Sequence, residues 1–107
     1  MGIKKIAELL HQNNIYLSFI SELELQVFKK LKQSELKIIT DFLNHCTIID
    51  INKSIKDKTI EIRKKHNMKL PDCIIAATAK YLNIPLITAD SDFKNIDAIQ
   101  IVIVEPQ

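Results

Sequence analysis

Four carboxylates in this chain are placed where acids can do chemistry. Asp90 and Asp92 follow the hydrophobic run PLITA in the stretch PLITADSDF. Asp72 follows Pro71 at the head of DCIIAATAKYL, and Glu24 lies in SELELQ with Glu22 beside it. Each also has an ordinary local reading. Glu24 near a helix start makes a favourable contact with the helix dipole, and an Asp after a Pro is a common helix opening. Asp90 and Asp92 suit a turn, or the cap of a short helix beginning at Phe93. All four share one topological position, however, because each falls just after a strand-like run or at the start of a helix. In open parallel sheets that rim is where ligands bind. If the segments converge, the carboxylates repel one another and require a counter-ion. Magnesium or manganese suits them, since hard cations take oxygen ligands and keep several waters. The matching chemistry is metal-assisted phosphodiester hydrolysis, in which the metal orients phosphate, activates water and stabilises the leaving oxygen.

The elements that must position these acids follow from periodicity. Ile3, Ile6, Ala7 and Leu10 have helical spacing, and Asn13-Asn14 stops that helix. IYLSFI (15–20) reads as a strand, after which Ser21 caps a helix to about Leu31, with Glu22 and Glu24 in its first turn. Ser34 opens a helix with the apolar stripe Leu36, Ile39, Phe42, Leu43, and CTIIDI (46–51) reads as a second strand. Ser54 with Asp57 resembles a capping box, and the helix that follows ends in Arg63-Lys64-Lys65-His66. The helix after Pro71 is apolar around most of its circumference and carries three alanines, so it is buried on more than one side; Asn83 ends it. PLITA (85–89) and AIQIVIV (98–104) are the last strands. Strands alternating with helices specify an α/β class with a parallel sheet.

Composition agrees with one globular domain. Of 107 residues, 47% are hydrophobic and 26% charged, and the single glycine leaves little room for flexible linkers. No apolar run approaches the roughly 20 residues of a membrane span. Cys46 and Cys73 show no metal-ligand spacing and read as buried thiols of a reducing cytoplasm. A net charge of +2 does not by itself announce a nucleic-acid partner.

SFISELEL, the block LPDCIIAATAKYLNIPLITADSDF and the closing hydrophobic strand resemble PIN-domain endoribonucleases. The nearest kind is the small toxin of VapBC-type toxin–antitoxin modules. The resemblance runs from about Ile3 to Val104. It implies a PIN-like three-layer α/β/α sandwich with a mostly parallel sheet, formed by residues 1–107 as a single domain. Carried over by position, Glu24 matches the acid of the helix after the second family strand. Asp72 matches the acid that contacts the metal most directly, and Asp90 matches the fourth acid, with Asp92 as its auxiliary. Ser21 and Thr88 match hydroxyl residues beside these acids. Together they would hold one or two Mg²⁺ or Mn²⁺ ions and position water for attack on RNA. The implied partners are RNA, a cognate antitoxin and a second copy of the chain, in the cytoplasm and without a membrane.

Family members begin with a strand ending in an Asp-Thr-Asn-like motif, followed by a helix leading into something like IKKIAELL, where this chain starts. The resemblance therefore implies an N-terminally shortened PIN fold, lacking one acid and the strand that lies between those matching IYLSFI and PLITA. Two functions follow: a metal-dependent endoribonuclease, or a catalytically inactive PIN module that dimerises or binds antitoxin or RNA. The doublets Lys4-Lys5, Lys29-Lys30 and Lys64-Lys65 read as solvated helix faces, with phosphate contact as the alternative. The aromatic residues mostly fall at core spacing, and His11, His45 and His66 show no ligand or nucleophile pairing.

Overall fold

The computed structural model describes residues 14–27, 32–93, 96 and 99–104. The expected helix over 3–12, the doublets at Lys4 and Lys29, His11 and Phe28 lie outside the described residues. The described elements are β1 (Tyr16–Ser18), α1 (Phe19–Gln26), α2 (Gln33–His45), β2 (Thr47–Ile49), α3 (Lys53–Lys65) and α4 (Leu70–Leu82). They are followed by β3 (Leu86–Thr88), a 3-10 turn (Ser91–Phe93) and β4 (Ile101–Ile103). They fall into two compact units, one within residues 2–50 and the other within 51–107. The class is α/β, and both strand pairs are parallel, as the alternation of elements requires. The described strands make two separate two-stranded sheets, so β1 and β3 each have one partner among the described residues.

In the first unit β1 pairs with β2 in the register Tyr16–Thr47, Leu17–Ile48, Ser18–Ile49. The strand is shorter than IYLSFI suggests, because Phe19 and Ile20 already belong to α1. Ser18, not Ser21, is the cap. Its backbone is extended and its Oγ accepts the Ile20 N–H at 3.2 Å. A satisfied cap stabilises a helix start by about 1 kcal/mol, enough here to override the strand preference of Phe and Ile. Ser21 is therefore the third helical residue; Glu22 takes the first-turn position, and Glu24 falls a turn later than the sequence suggests. α1 ends at Gln26, where the Val27 N–H bonds the Leu23 carbonyl at 3.1 Å, short of the expected end at Leu31. α2 begins at Gln33, one residue before the expected Ser34, and Glu35 Oε1 accepts the Lys32 N–H at 3.2 Å. Ile39 and Phe42 are its buried side chains.

In the second unit the cap of α3 also moves. Asn52 Oδ1 accepts the Ile55 N–H at 2.8 Å, so the expected Ser54–Asp57 capping box does not form. Ser54 Oγ instead accepts from Lys58 Nζ at 3.0 Å, and Asp57 pairs with Lys53 at 3.1 Å. The extended backbone at Asn52 puts its side chain over the first turn, and asparagine caps at least as well as serine. α3 packs on α4. Ile55, Thr59 and Ile62 of α3 and Cys73, Ala76 and Ala77 of α4 are buried, the small α4 side chains permitting close backbone approach. Removing Ile55 and Ile62 from water contributes about 1.5–3 kcal/mol each. The buried hydroxyls are satisfied locally: Thr59 donates to the Ile55 carbonyl at 2.7 Å and Thr78 to the Ile74 carbonyl at 2.8 Å. Both cysteines are free thiols, Cys73 buried and Cys46 half-buried. Of the aromatic residues, Phe42 and Phe93 join the core while Tyr16 and Tyr81 are each 43% exposed, short of the expected core placement. No described helix is long and apolar enough to cross a membrane.

Candidate functional site

The path from α4 into β3 brings two distant acids to one rim. α4 rises about 16 Å between Asp72 and Asn83, at 1.5 Å per residue. Asn83 then ends the helix in the left-handed conformation, φ 56° and ψ 45°, which asparagine tolerates better than most side chains. The extended chain from Asn83 to Asp90 reaches back about 23 Å. The start of α4 and the end of β3 therefore meet at the same end of the second unit.

The electrostatics of Asp72 follow from that meeting. Asp72 sits half-buried in the first turn of α4, with Pro71 before it. Burial pushes its carboxyl above the ordinary carboxylate range, and the charges of Asp90 and Asp92 push it the same way, while Lys69 pulls it back. Asp72 thus feels the charges of Asp90 and Asp92 although the sequence separates it from them. Asp90 is exposed and does local work as well: its Oδ1 accepts the Asp92 N–H at 2.9 Å and caps the 3-10 turn. Thr88 Oγ1 accepts the Asp90 N–H at 3.1 Å and so fixes the approach of the backbone to that turn. The turn begins at Ser91, not at Phe93, and buries the Phe93 ring beneath it. The turn-former and ligand readings of Asp90 are compatible, because a carboxylate capping through one oxygen keeps another. Glu24 stands exposed on α1 in the first unit, where Ser21 and Glu22 are half-buried.

The donors at this rim fit a hard divalent cation in kind. All are carboxylate oxygens, they are accessible, and at Asp72 they generate a repulsive field that a cation reverses. Among the described residues no group of three or more His, Cys, Asp or Glu side chains is drawn together enough to hold a metal. Magnesium does not need such a cage, since it commonly binds through one or two carboxylates and keeps its remaining waters.

Sequence reasoning missed Lys69, the cation acting on Asp72. A signal was there to read, because a lysine directly before Leu-Pro-Asp places positive charge at a helix N-terminus, where the dipole disfavours it. Ser18 and Asn52 are obscured as caps because a serine follows each by two or three positions.

The sequence matches the PIN domain family over residues 3–99. The chain belongs to the PIN-domain family. The match crosses both compact units and takes in β1, β2 and β3. Ribonuclease VapC6 of Methanocaldococcus jannaschii is 34% identical over 102 residues, covering 94% of this PIN chain and 60% of that protein. Ribonuclease VapC2 of the same organism is 33% identical over 73 residues, 67% of this chain and 49% of its own length. This chain thus spans about half to three-fifths of the curated relatives it matches. Among solved structures, VapBC2 from Rickettsia felis, bound to a DNA fragment from its promoter, superposes with a TM-score of 0.75. Identity is 25%, over 92% of this chain and 81% of that one. A toxin–antitoxin complex from Klebsiella pneumoniae gives a TM-score of 0.70 at 33% identity, over 89% and 77% of the two chains.

Proposed function

We propose that this PIN domain is a metal-dependent endoribonuclease of the toxin kind, held in check by an antitoxin. The observation that carries the reading is the field at Asp72, where Asp90 and Asp92 crowd a half-buried carboxylate at the C-terminal end of β3. Such crowding is unfavourable without a cation and is the usual mark of a functional site. Ribonuclease names among the relatives support the choice of substrate, and the toxin–antitoxin complexes among the structural neighbours support the partner.

In this reading Asp72 and Asp90 hold Mg²⁺ or Mn²⁺, with Asp92 as a further acid. The bound ion supplies an acidified water and charge neutralisation at the scissile phosphate. Burial and the charges of Asp90 and Asp92 disfavour a bare charge on Asp72, so a cation is held more favourably there than beside an isolated exposed aspartate. Thr88 and the Asp90 cap keep the turn in one conformation, which holds the carboxylate in place between turnovers. Leu23 on α1 and Val27 just beyond its end, 50% and 68% exposed, offer apolar surface to an antitoxin or a second copy. Incubation of structured RNA with the protein and Mg²⁺ tests the reading: cleavage should stop with EDTA and in Asp72→Asn, and cleavage surviving either change overturns it.

The absence of an assembled group of three acids among the described residues favours a second reading, an inactive PIN module that keeps partner binding. It predicts antitoxin or RNA binding with no uptake of Mn²⁺.

A further inference from the structure

A nuclease centre made only of carboxylates repels its own substrate, so an RNA backbone must be held by cations close by. The second unit carries one dense group of them. Residues 62–71 contain Arg63, Lys64, Lys65 and Lys69 and no acid. All four are exposed and have no ion-pair partner among the described residues, whereas Lys53 and Lys80 pair with Asp57 and Glu61. Residues 66–69 join the end of α3 to the start of α4, so this group lies at the same end of the unit as Asp72. The proximity is electrostatic as well as topological. Lys69 acts on the Asp72 carboxyl, and Arg63 acts on the thiol of neighbouring Cys73.

Local helix physics accounts for only part of this charge. Cations in the last turn of α3 suit its dipole. Lys69 does not: it occupies the N-cap of α4, makes no capping hydrogen bond, and puts positive charge where the dipole opposes it. Residues that break a local rule in this way are expected at functional positions. The acids next door also select the ligand. An acidic peptide drawn to the basic group would be repelled by Asp72, Asp90 and Asp92. A phosphodiester chain, by contrast, is held by cations along its length and by a metal at one phosphate.

We propose that the segment Arg63–Lys69 is the track that positions the RNA backbone beside the Asp72–Asp90–Asp92 rim, with Arg63, Lys64 and Lys65 as substrate-positioning residues. This rests on the nuclease reading, and the experiment separates the two. Binding of a fluorescein-labelled single-stranded RNA is followed by anisotropy across a salt series, for Asp72→Asn with and without Arg63→Gln/Lys64→Gln/Lys65→Gln. Cleavage is followed for the wild type and for the triple variant alone, with thermal melts confirming that each protein folds. Three lost phosphate contacts should lower the slope of log affinity against log salt by about 2, at roughly 0.7 per contact for single strands. The triple variant should raise KM about tenfold or more and leave kcat within about twofold, because it alters backbone contacts shared by ground and transition states. Lys64→Gln/Lys65→Gln should give an intermediate slope. A wild type that cleaves RNA while the triple variant keeps its KM and salt slope overturns the track and leaves the nuclease standing. A slope that falls as expected in a protein that never cleaves supports the track and overturns the nuclease. Loss of poly-glutamate binding in the triple variant, with RNA binding unchanged, assigns the segment to an acidic peptide and overturns the proposal.

Discussion

Replacing Asp90 separates its two roles, because Asn and Ala remove different things. Asp90 caps the 3-10 turn through Oδ1, bonded to the Asp92 N–H at 2.9 Å, and its charge bears on Asp72. Asp90→Asn keeps an acceptor oxygen and loses the charge; Asp90→Ala loses both. An exposed like-charge interaction is worth about 0.2–0.5 kcal/mol after solvent screening, and a capping bond about 0.5–1 kcal/mol in an exposed turn. In EDTA at neutral pH, Asp90→Asn should therefore match or exceed the wild-type stability by up to about 0.5 kcal/mol. Asp90→Ala should fall below Asp90→Asn by about 0.5–1 kcal/mol, a difference of roughly 3–6 °C in Tm for a domain of this size. The gain of Asp90→Asn should shrink in high salt, since it comes from relief of repulsion near the surface. Thermal melts of the three proteins at low and high salt measure all of this. If Asp90→Asn is as destabilising as Asp90→Ala without metal, the aspartate is held there for structure, and the argument from crowded charge collapses.

Three further outcomes follow. Asp72 titrates above its unfolded value of about 4, so folding disfavours its charged form relative to the unfolded chain. The resulting cost is absent below that value and fully present above the raised folded one. In EDTA, the stability of Asp72→Asn relative to wild type should therefore improve as pH rises from about 3.5 to 7, read from urea midpoints; no change with pH refutes it. Ser18→Ala should destabilise the protein by about 1 kcal/mol, and Ser21→Ala by much less, because Ser18 provides the cap of α1; equal losses in chemical denaturation would return the cap to Ser21. Ile55→Ala should cost about 2–5 kcal/mol, since Ile55 is 0% exposed between α3 and its neighbours, and a loss under 1 kcal/mol in the same assay would show that the site is looser than its burial implies.

The sequence made the element types legible and the element edges much less so. The burial of α4 was readable because Cys73, Ala76, Ala77, Thr78 and Ala79 are apolar or small around most of a turn. Its end at Asn83 was readable because few other side chains accept φ 56°. The strands came out at three residues each where runs of five to seven looked extended. Side-chain type marks a segment fit for a strand, whereas caps such as Ser18 decide where the strand gives way to a helix. Asp72 and Asp90 were marked by topology, because a helix start and the following strand end must share a rim when a short turn joins them. The influence of Lys69 on that rim is carried by its place directly before Leu-Pro-Asp and not by any charge run, and the boundary of α4 makes it the N-cap.

Calorimetric titration of Mn²⁺ into the wild-type protein, Asp72→Asn and Asp90→Asn decides whether the rim is a metal centre. The account predicts saturable binding to the wild type that weakens by at least about tenfold in each variant, since each loses one of the few protein oxygens on a hard cation. Wild-type protein that takes up no Mn²⁺, or variants that bind it as well as the wild type, would contradict a metal centre at Asp72 and Asp90.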